Sequence, residues 1–184
     1  MRKIFLFLSL ISSVNLYAFS LQDLKIQLEN QQNIQGDFHQ EKYLKGINNP
    51  LLTRGKFSLH QGKNAELLWN ISAPIELQLK VNKHGISQWN GDKQDWIASA
   101  DKNQSEQVKL FLAILSGNSS ELAKYFDLQI TGDEDNWQLE MLPSNNLVQQ
   151  IFNKIIIKGG KNIKTVEILE AAGERTLLYF EVKK

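Results

Sequence analysis

The chain has 184 residues, a formal net charge of +1 and no cysteine. A chain of this length can bury one hydrophobic core, and the lack of cysteine excludes both disulfides and lipid attachment through a cysteine side chain. The balanced charge provides no basic field of the kind that attracts nucleic acid. The composition therefore favours a single globular domain that does not bind nucleic acid.

The N-terminal segment has the layout of a secretory signal peptide. Arg2 and Lys3 precede an apolar run at residues 4–11, and Ala18 follows at a position suited to cleavage. The run is shorter than the roughly 20 residues that a membrane-spanning helix needs, although an uncleaved N-terminal anchor is the alternative. We predict a signal peptide at residues 1–18 and a mature, soluble periplasmic domain at residues 19–184.

The first predicted element after this segment is a helix over Leu21–Gln32. Ser20 followed by Asp23 is typical of a capping box at a helix start. Leucines then recur at helical spacing from Leu21 to Leu28, which gives the helix one apolar stripe. A helix of this kind packs its stripe against another element.

From Gly36 onward the apolar period changes to two, which is typical of strands with one wet face and one dry face. Turn residues separate these strands at hairpin-like spacing, so sequential strands are expected to pair as antiparallel neighbours. The predicted strands are Gly55–His60, Ala65–Ile71, Ile75–Val81, Phe126–Ile130, Trp137–Met141, Ile151–Lys158, Ile163–Leu169 and Thr176–Val182.

The alternation is interrupted between Ser105 and Gly117, where apolar residues surround most of a predicted second helix. An apolar surface that wide is covered on more than one side. A short helical turn near Ser120–Lys124 follows. The predicted class is α+β, with a curved, incomplete antiparallel β-barrel of about ten or eleven strands and helices packed as a lid on its concave, apolar side.

The sequence carries no motif of a catalytic or cofactor site. It has no nucleophile elbow, no phosphate-binding glycine loop and no zinc-ligand spacing. His39 and Glu41 share a strand face, but no third ligand accompanies them, so a solvated face is favoured over a metal pair. We therefore predict no enzymatic activity, no bound metal and no cofactor.

The excess of apolar side chains has two explanations. They form either a filled core or the wall of a cavity for an acyl chain, which would bind at about 0.8 kcal/mol per buried methylene. Both structures need the same residue types. A periplasmic structural or interaction module with a filled core is therefore the alternative to a carrier.

Four features stand out by residue choice and spacing. They are the segment Gln35–Lys42, the strand that begins at Gly55, the pair Leu68 and Trp69, and Pro74 five residues after that tryptophan. Together with the apolar helix and the C-terminal strands, they are similar to the outer-membrane lipoprotein carrier family called LolA. The resemblance covers nearly the whole mature chain and implies an unclosed barrel with a helical lid over a hydrophobic cavity.

The resemblance further implies a monomeric carrier that receives acylated cargo from an inner-membrane exporter and passes it to an outer-membrane acceptor. The cargo is a lipoprotein or, in a divergent relative, another molecule such as a glycolipid or lipid precursor. In the family an arginine holds the lid, and the matching position here is Lys63, which lacks the planar, forked contacts of arginine. The implied cavity lining comprises Phe38, Phe57, Leu67, Trp69, Leu77, Leu79 and Val81 from the strands, and Phe111, Leu112 and Leu115 from the lid.

Overall fold

The computed structural model describes residues 18–31, 33–62, 64–98, 112–115 and 118–183. Within these ranges, eleven strands form one sheet, accompanied by short helices. The strands are β1 Asn33–Tyr43, β2 Leu51–His60, β3 Glu66–Ala73, β4 Leu77–Asn82, β5 Gly85–Asn90, β6 Asp95–Ala98, β7 Phe126–Gly132, β8 Trp137–Pro143, β9 Phe152–Gly159, β10 Ile163–Glu170 and β11 Arg175–Lys183. The helices are α1 Leu21–Glu29, α2 at 112–115, α3 Ser119–Leu122 and α4 Asn146–Gln149.

The strand order in the sheet is β6-β5-β4-β3-β2-β1-β11-β10-β9-β8-β7, and all neighbouring strands are antiparallel. Neighbouring strands of the sheet are consecutive in sequence except at the centre, where β1 pairs with β11 and Phe38 lies opposite Phe180. Strands β6 and β7 form the two edges and do not pair with each other, so the barrel is not closed. The predicted α+β class and incomplete antiparallel barrel are confirmed.

The element bounds differ from the predicted ones where local signals are weak. Strand β2 begins at Leu51 rather than Gly55, because its first residues pair with β1 beyond the end of β3. Helix α1 ends at Glu29 rather than Gln32 because Asn33 already belongs to β1. The sequence analysis missed β6 and α4, which have four residues each and are too short for a periodic signal.

The predicted helix over 105–117 lies mostly outside the described residues. Its residues 112–115 are helical. Ala113, Ile114 and Leu115 are buried in the hydrophobic core, and Leu112 is half-buried against it. The described part of this helix therefore packs on the sheet through most of its surface.

Helix α1 closes one end of the sheet. Its capping box is present: the Ser20 amide donates to Asp23 Oδ2 at 2.9 Å, and the Asp23 amide donates to Ser20 Oγ at 3.2 Å. The Gln27 side-chain amide donates to the carbonyl oxygens of Glu134 and Gly160, in the turns that end β7 and β9. Since Leu28 is buried, α1 is fixed to this end by both apolar packing and hydrogen bonds.

The hydrophobic core lies on one face of the sheet, which we call the inner face. Its centre is an aromatic cluster in which the Phe38 ring stacks on Trp69 with centroids 3.7 Å apart, and Phe57 meets Phe180 edge-on at 5.3 Å. Gly55 makes room for this cluster, because a Cβ atom there would lie only 2.8 Å from Phe38 Cε1. The opposite, outer face carries polar residues in alternation.

Candidate functional site

One row of cross-strand partners on the inner face connects the filled core with the edge of the sheet. Trp69 on β3 lies opposite Leu79 on β4. Leu79 lies opposite Gln88, which in turn lies opposite Ile97 on the edge strand β6. Trp69 is 8% exposed, Leu79 is half-buried and Ile97 is 40% exposed. The inner face is thus filled at its centre and open toward β6.

The open part of the inner face, formed by β4, β5 and β6, contains a cavity of about 290 Å³. This volume is near the lower limit of the roughly 300–1,000 Å³ found for small-molecule sites. Leu79, Ile86 and Ile97 give it apolar walls, and Gln88 and Asn90 contribute side-chain amides. An amphipathic ligand with one apolar and one polar part matches this lining.

Six of the predicted lining residues lie in or beside the filled centre, and each is at most 8% exposed. A cavity of about 20 Å³ remains between Phe57, Leu115 and Phe180, enough for about one water molecule. An acyl chain would fit there only after side chains or α2 had moved. Ligand contact by these six residues remains a prediction. They are Phe38, Phe57, Leu67, Trp69, Val81 and Leu115.

The other predicted lining residues are less uniform. Leu77 and Leu79 are half-buried on β4 and belong to the open part, and Leu112 is half-buried on α2. Phe111 and Lys63 lie outside the described residues, so their predicted roles in the lid remain predictions. The structure therefore divides the predicted lining into a packed group and an open group.

The sequence analysis missed Ile86 and Ile97 as candidate site residues. On β5, Ile86 alternates with the polar Gln88 and Asn90, so apolar periodicity does not identify this face as dry. The usable signal was the turn: Asn82 pairs with Gly85, which leaves a two-residue connection. A loop of that length fixes the hairpin register and would have placed Ile86 opposite Val81, on the same face as the β4 leucines.

A larger cavity, of about 760 Å³, lies mainly on the outer face. Its lining includes Asp37 on β1, Arg54 and Lys56 on β2, and Glu181 on β11. These residues are exposed or half-exposed. Charged groups in contact with water are a poor lining for an acyl chain, because the chain would gain little burial and would desolvate them. We therefore assign the candidate site to the smaller cavity, which lies on the inner face and whose lining residues carry no charge.

The outer face also holds the His39 and Glu41 pair considered above as a weak metal site. His39 Nε2 lies 3.2 Å from Glu41 Oε1, and the Tyr43 hydroxyl donates to Glu41 Oε2 at 2.8 Å. The hydrogen bond from Tyr43, followed by that from His39, lowers the pKa of Glu41 below its ordinary value. Among the described residues, no group of three or more side chains suited to holding a metal ion is found.

Solved structures share the fold at low sequence identity. A chain of the Pseudomonas aeruginosa MucA/MucB complex superposes with a TM-score of 0.52 and 14% identity, and a chain of the complex of MucB with MucA(peri) with 0.51 and 12%. These alignments cover 89% and 91% of this chain but 56% of each of those chains. A domain from Vibrio parahaemolyticus assigned to outer membrane lipoprotein sorting superposes with a TM-score of 0.52 and 10% identity, covering 90% of this chain and 91% of its own.

Sequence comparison is more specific than fold similarity, because it identifies a protein family. A search of curated protein sequences found no match. Among the described residues, no helix has both the length and the apolar character needed to cross a bilayer. The model of the family described as outer membrane lipoprotein carrier protein LolA matches residues 29–184. Because that match spans well over half of the sequence, this chain belongs to the LolA family of outer membrane lipoprotein carrier proteins.

Proposed function

We propose that this protein is a non-enzymatic periplasmic carrier that binds an acyl chain of a lipoprotein or another lipid on the inner face of its sheet. The observation that supports this most directly is the cavity beside β6, which has both apolar and amide side chains and lies at the open end of the row that begins at Trp69. Exclusion of water from the acyl methylenes would drive binding, at about 0.8 kcal/mol for each one buried. The side-chain amides of Gln88 and Asn90 are suited to the polar end of such a ligand.

The proposed ligand enters at Leu79 and Ile97 and extends toward the aromatic centre. Only a short acyl segment fits in about 290 Å³, so a longer chain requires additional space in the core. Leu115 of α2 lies at the remaining gap beside Phe57 and Phe180. Movement of α2 away from the sheet would widen that gap, which is the role proposed for the helix as a lid.

Fluorescence of an environment-sensitive fatty-acid probe tests the site. We expect Leu79→Glu and Ile97→Glu to reduce probe binding at least tenfold, because a carboxylate in the apolar cavity loses hydration without a partner. The matched control is Ile26→Glu, since Ile26 is 49% exposed on α1, far from β6 in the sheet. Unchanged binding by both cavity variants, with folding verified, would contradict the assignment.

Export and transfer partners form a separate part of the proposal. We propose that residues 1–18 are removed as a signal peptide and that the mature chain accepts cargo from an inner-membrane exporter and delivers it to an outer-membrane acceptor. N-terminal sequencing of periplasmic material is expected to begin at Phe19. Recovery of Met1 in the membrane fraction would instead indicate an uncleaved anchor.

A second candidate function is a periplasmic interaction module with a filled core. It is favoured by the aromatic cluster, where about 20 Å³ remains unfilled. Native mass spectrometry of the protein taken from cells distinguishes the two functions. A copurified acylated species supports the carrier, whereas a ligand-free protein that also fails to bind the fatty-acid probe supports the module.

A further inference from the structure

Exposed apolar side chains are concentrated at one end of the sheet. Of the nine large apolar side chains that are exposed in the described part of the chain, six lie in or beside the connections at this end. We call this set the apolar rim. It comprises Ile47 (52% exposed), Leu51 (53%), Leu52 (55%), Ile75 (77%), Leu147 (75%) and Ile151 (44%).

The sheet topology places these residues at the same end. The connection at residues 44–50 joins β1 to β2, the one at 74–76 joins β3 to β4, and the one at 144–151 joins β8 to β9. Antiparallel pairing of β1 with both β2 and β11 aligns the first two connections with the turn between β10 and β11. The Ala171 amide of that turn donates to the Ile151 carbonyl oxygen at 3.0 Å, which adds the third connection.

The opposite end of the sheet has the contrary character. The described residues of its turns, at 61–65, 83–84, 133–136 and 160–162, include no exposed large apolar side chain. Helix α1 closes this end through Gln27, and Gln31 just after the helix donates its side-chain amide to the Lys161 carbonyl oxygen. With Ile26 on α1 as the exception at the closed end, exposed apolar side chains are thus concentrated at the other end of the sheet.

We propose that the apolar rim inserts into the surface of a lipid bilayer. From β4 to β8 the rim follows seven strand spacings, a path of about 33 Å along the sheet. The side chains project from three separate connections, and a fluid bilayer accepts each one independently, whereas a folded partner would need a matching pocket for each. Contiguous or repeated apolar exposure of this kind marks a surface for association.

The charges at this end are compatible with such a surface. Lys42 Nζ lies 3.0 Å from a carboxylate oxygen of Glu174 and 3.4 Å from one of Glu170. Lys154 Nζ lies 3.1 Å from Glu140 Oε1. Lys42 thus offsets one of its two glutamates and Lys154 offsets Glu140, which reduces the repulsion of these acidic groups by anionic lipid headgroups.

Membrane contact at the rim would deepen the proposed function, on which this step rests. Ile75 lies two residues before β4, whose Leu77 and Leu79 belong to the open part of the inner face. A rim inserted at Ile75 therefore brings the mouth of the candidate cavity to the acyl region of the bilayer. An acyl chain can then pass between cavity and membrane with little exposure of its methylenes to water.

The absence of native cysteine permits a direct test. Ile75→Cys at the rim and His84→Cys at the opposite end, made in the full-length chain and labelled with an environment-sensitive fluorophore, are mixed with vesicles of phosphatidylethanolamine and phosphatidylglycerol. We expect a blue shift at position 75 and none at position 84. Ile75→Ser in the unlabelled protein should weaken vesicle partitioning about tenfold, and Ile26→Ser, the matched control on α1, should leave it unchanged.

Three outcomes would overturn the proposal. The first two are no blue shift at position 75 and equal shifts at both positions. The third is a shift at position 75 that appears without vesicles when the protein concentration is raised, because the rim would then bind a second copy of the chain. The fatty-acid probe is measured on the same samples. Probe binding without vesicle binding overturns the rim and leaves the carrier function standing. Vesicle binding without probe binding overturns the carrier function and leaves the membrane contact of the rim standing.

Discussion

The centre and the open part of the inner face use the same residue types to opposite effect. At the centre, Phe38 stacks on Trp69 and Leu67 is fully buried. On the adjacent strand β4, Leu79 is only half-buried, and Ile97 on the edge strand β6 is exposed. Burial in this sheet therefore depends on how many neighbours cover a position, because Leu67 and Leu79 are both leucines at inward-facing positions.

The two ends of the sheet repeat the contrast. One end is closed by α1 and the residues just after it, where the side-chain amides of Gln27 and Gln31 donate to turn carbonyl oxygens. The other end leaves Ile75 and Leu147 more than 70% exposed. We expect the centre and the closed end to determine stability, and the open part and the rim to determine binding. Matched substitutions in each region test whether stability and binding are separated in this way.

The largest effect is expected for Leu67→Ala at the centre. Leu67 has no exposed surface, so truncation leaves a cavity that the packed aromatic neighbours cannot fill. We expect the free energy of unfolding to fall by about 3 kcal/mol, measured by urea denaturation. A loss below about 1 kcal/mol would show that the centre is less tightly packed than the structure indicates.

A smaller loss of stability is expected for Leu79→Ala, the same substitution in the open part. Leu79 is half-buried and borders the cavity, so it has fewer protein neighbours to lose. We expect the free energy of unfolding, measured by urea denaturation, to fall by at most about 1.5 kcal/mol. Binding of the fatty-acid probe should also be weaker. Equal losses for the leucine pair at positions 67 and 79 would remove the distinction between the two regions.

At the closed end, Ser20→Ala removes the capping-box hydrogen bond that the Ser20 hydroxyl accepts from the Asp23 amide. The free energy of unfolding should fall by about 1 kcal/mol. The hydrogen bonds from Ser20 lower the pKa of Asp23 below its ordinary value of 3.8. The stability that this carboxylate contributes is therefore present above pH 3.8 and is lost as the pH falls through the folded-state pKa. When the free energy of unfolding is measured from neutral to acidic pH, its difference between the wild type and Ser20→Ala should become smaller in that range.

The smallest effect on stability is expected for Ile75→Ser at the rim. Since Ile75 is 77% exposed, the substitution removes little buried surface and should change the free energy of unfolding by less than about 0.5 kcal/mol. Thermal and urea unfolding in the absence of lipid measure this. A large destabilisation would mean that Ile75 packs within the protein and is not free to enter a bilayer.

Local sequence features predicted the local structure well. The capping box at Ser20 and Asp23 is present, and most predicted strands match the observed ones to within a few residues. Both features depend on interactions between residues close in sequence or on alternation along one strand. The family resemblance likewise depends on ordered segments, and the family match over 29–184 confirms it.

The division of the inner face was decided by tertiary structure. Phe38 meets Phe180 through the pairing of β1 with β11, and Gly55 lets the Phe38 ring approach Trp69. Neither contact follows from spacing, because the partners lie on different strands and their side-chain packing depends on the fold. Residue order alone identifies the apolar residues and, on strands with regular alternation, the face that they occupy. Folding of the whole sheet covers Leu67 and leaves Leu79 and Ile97 open, since coverage is the sum of contacts from strands distant in sequence.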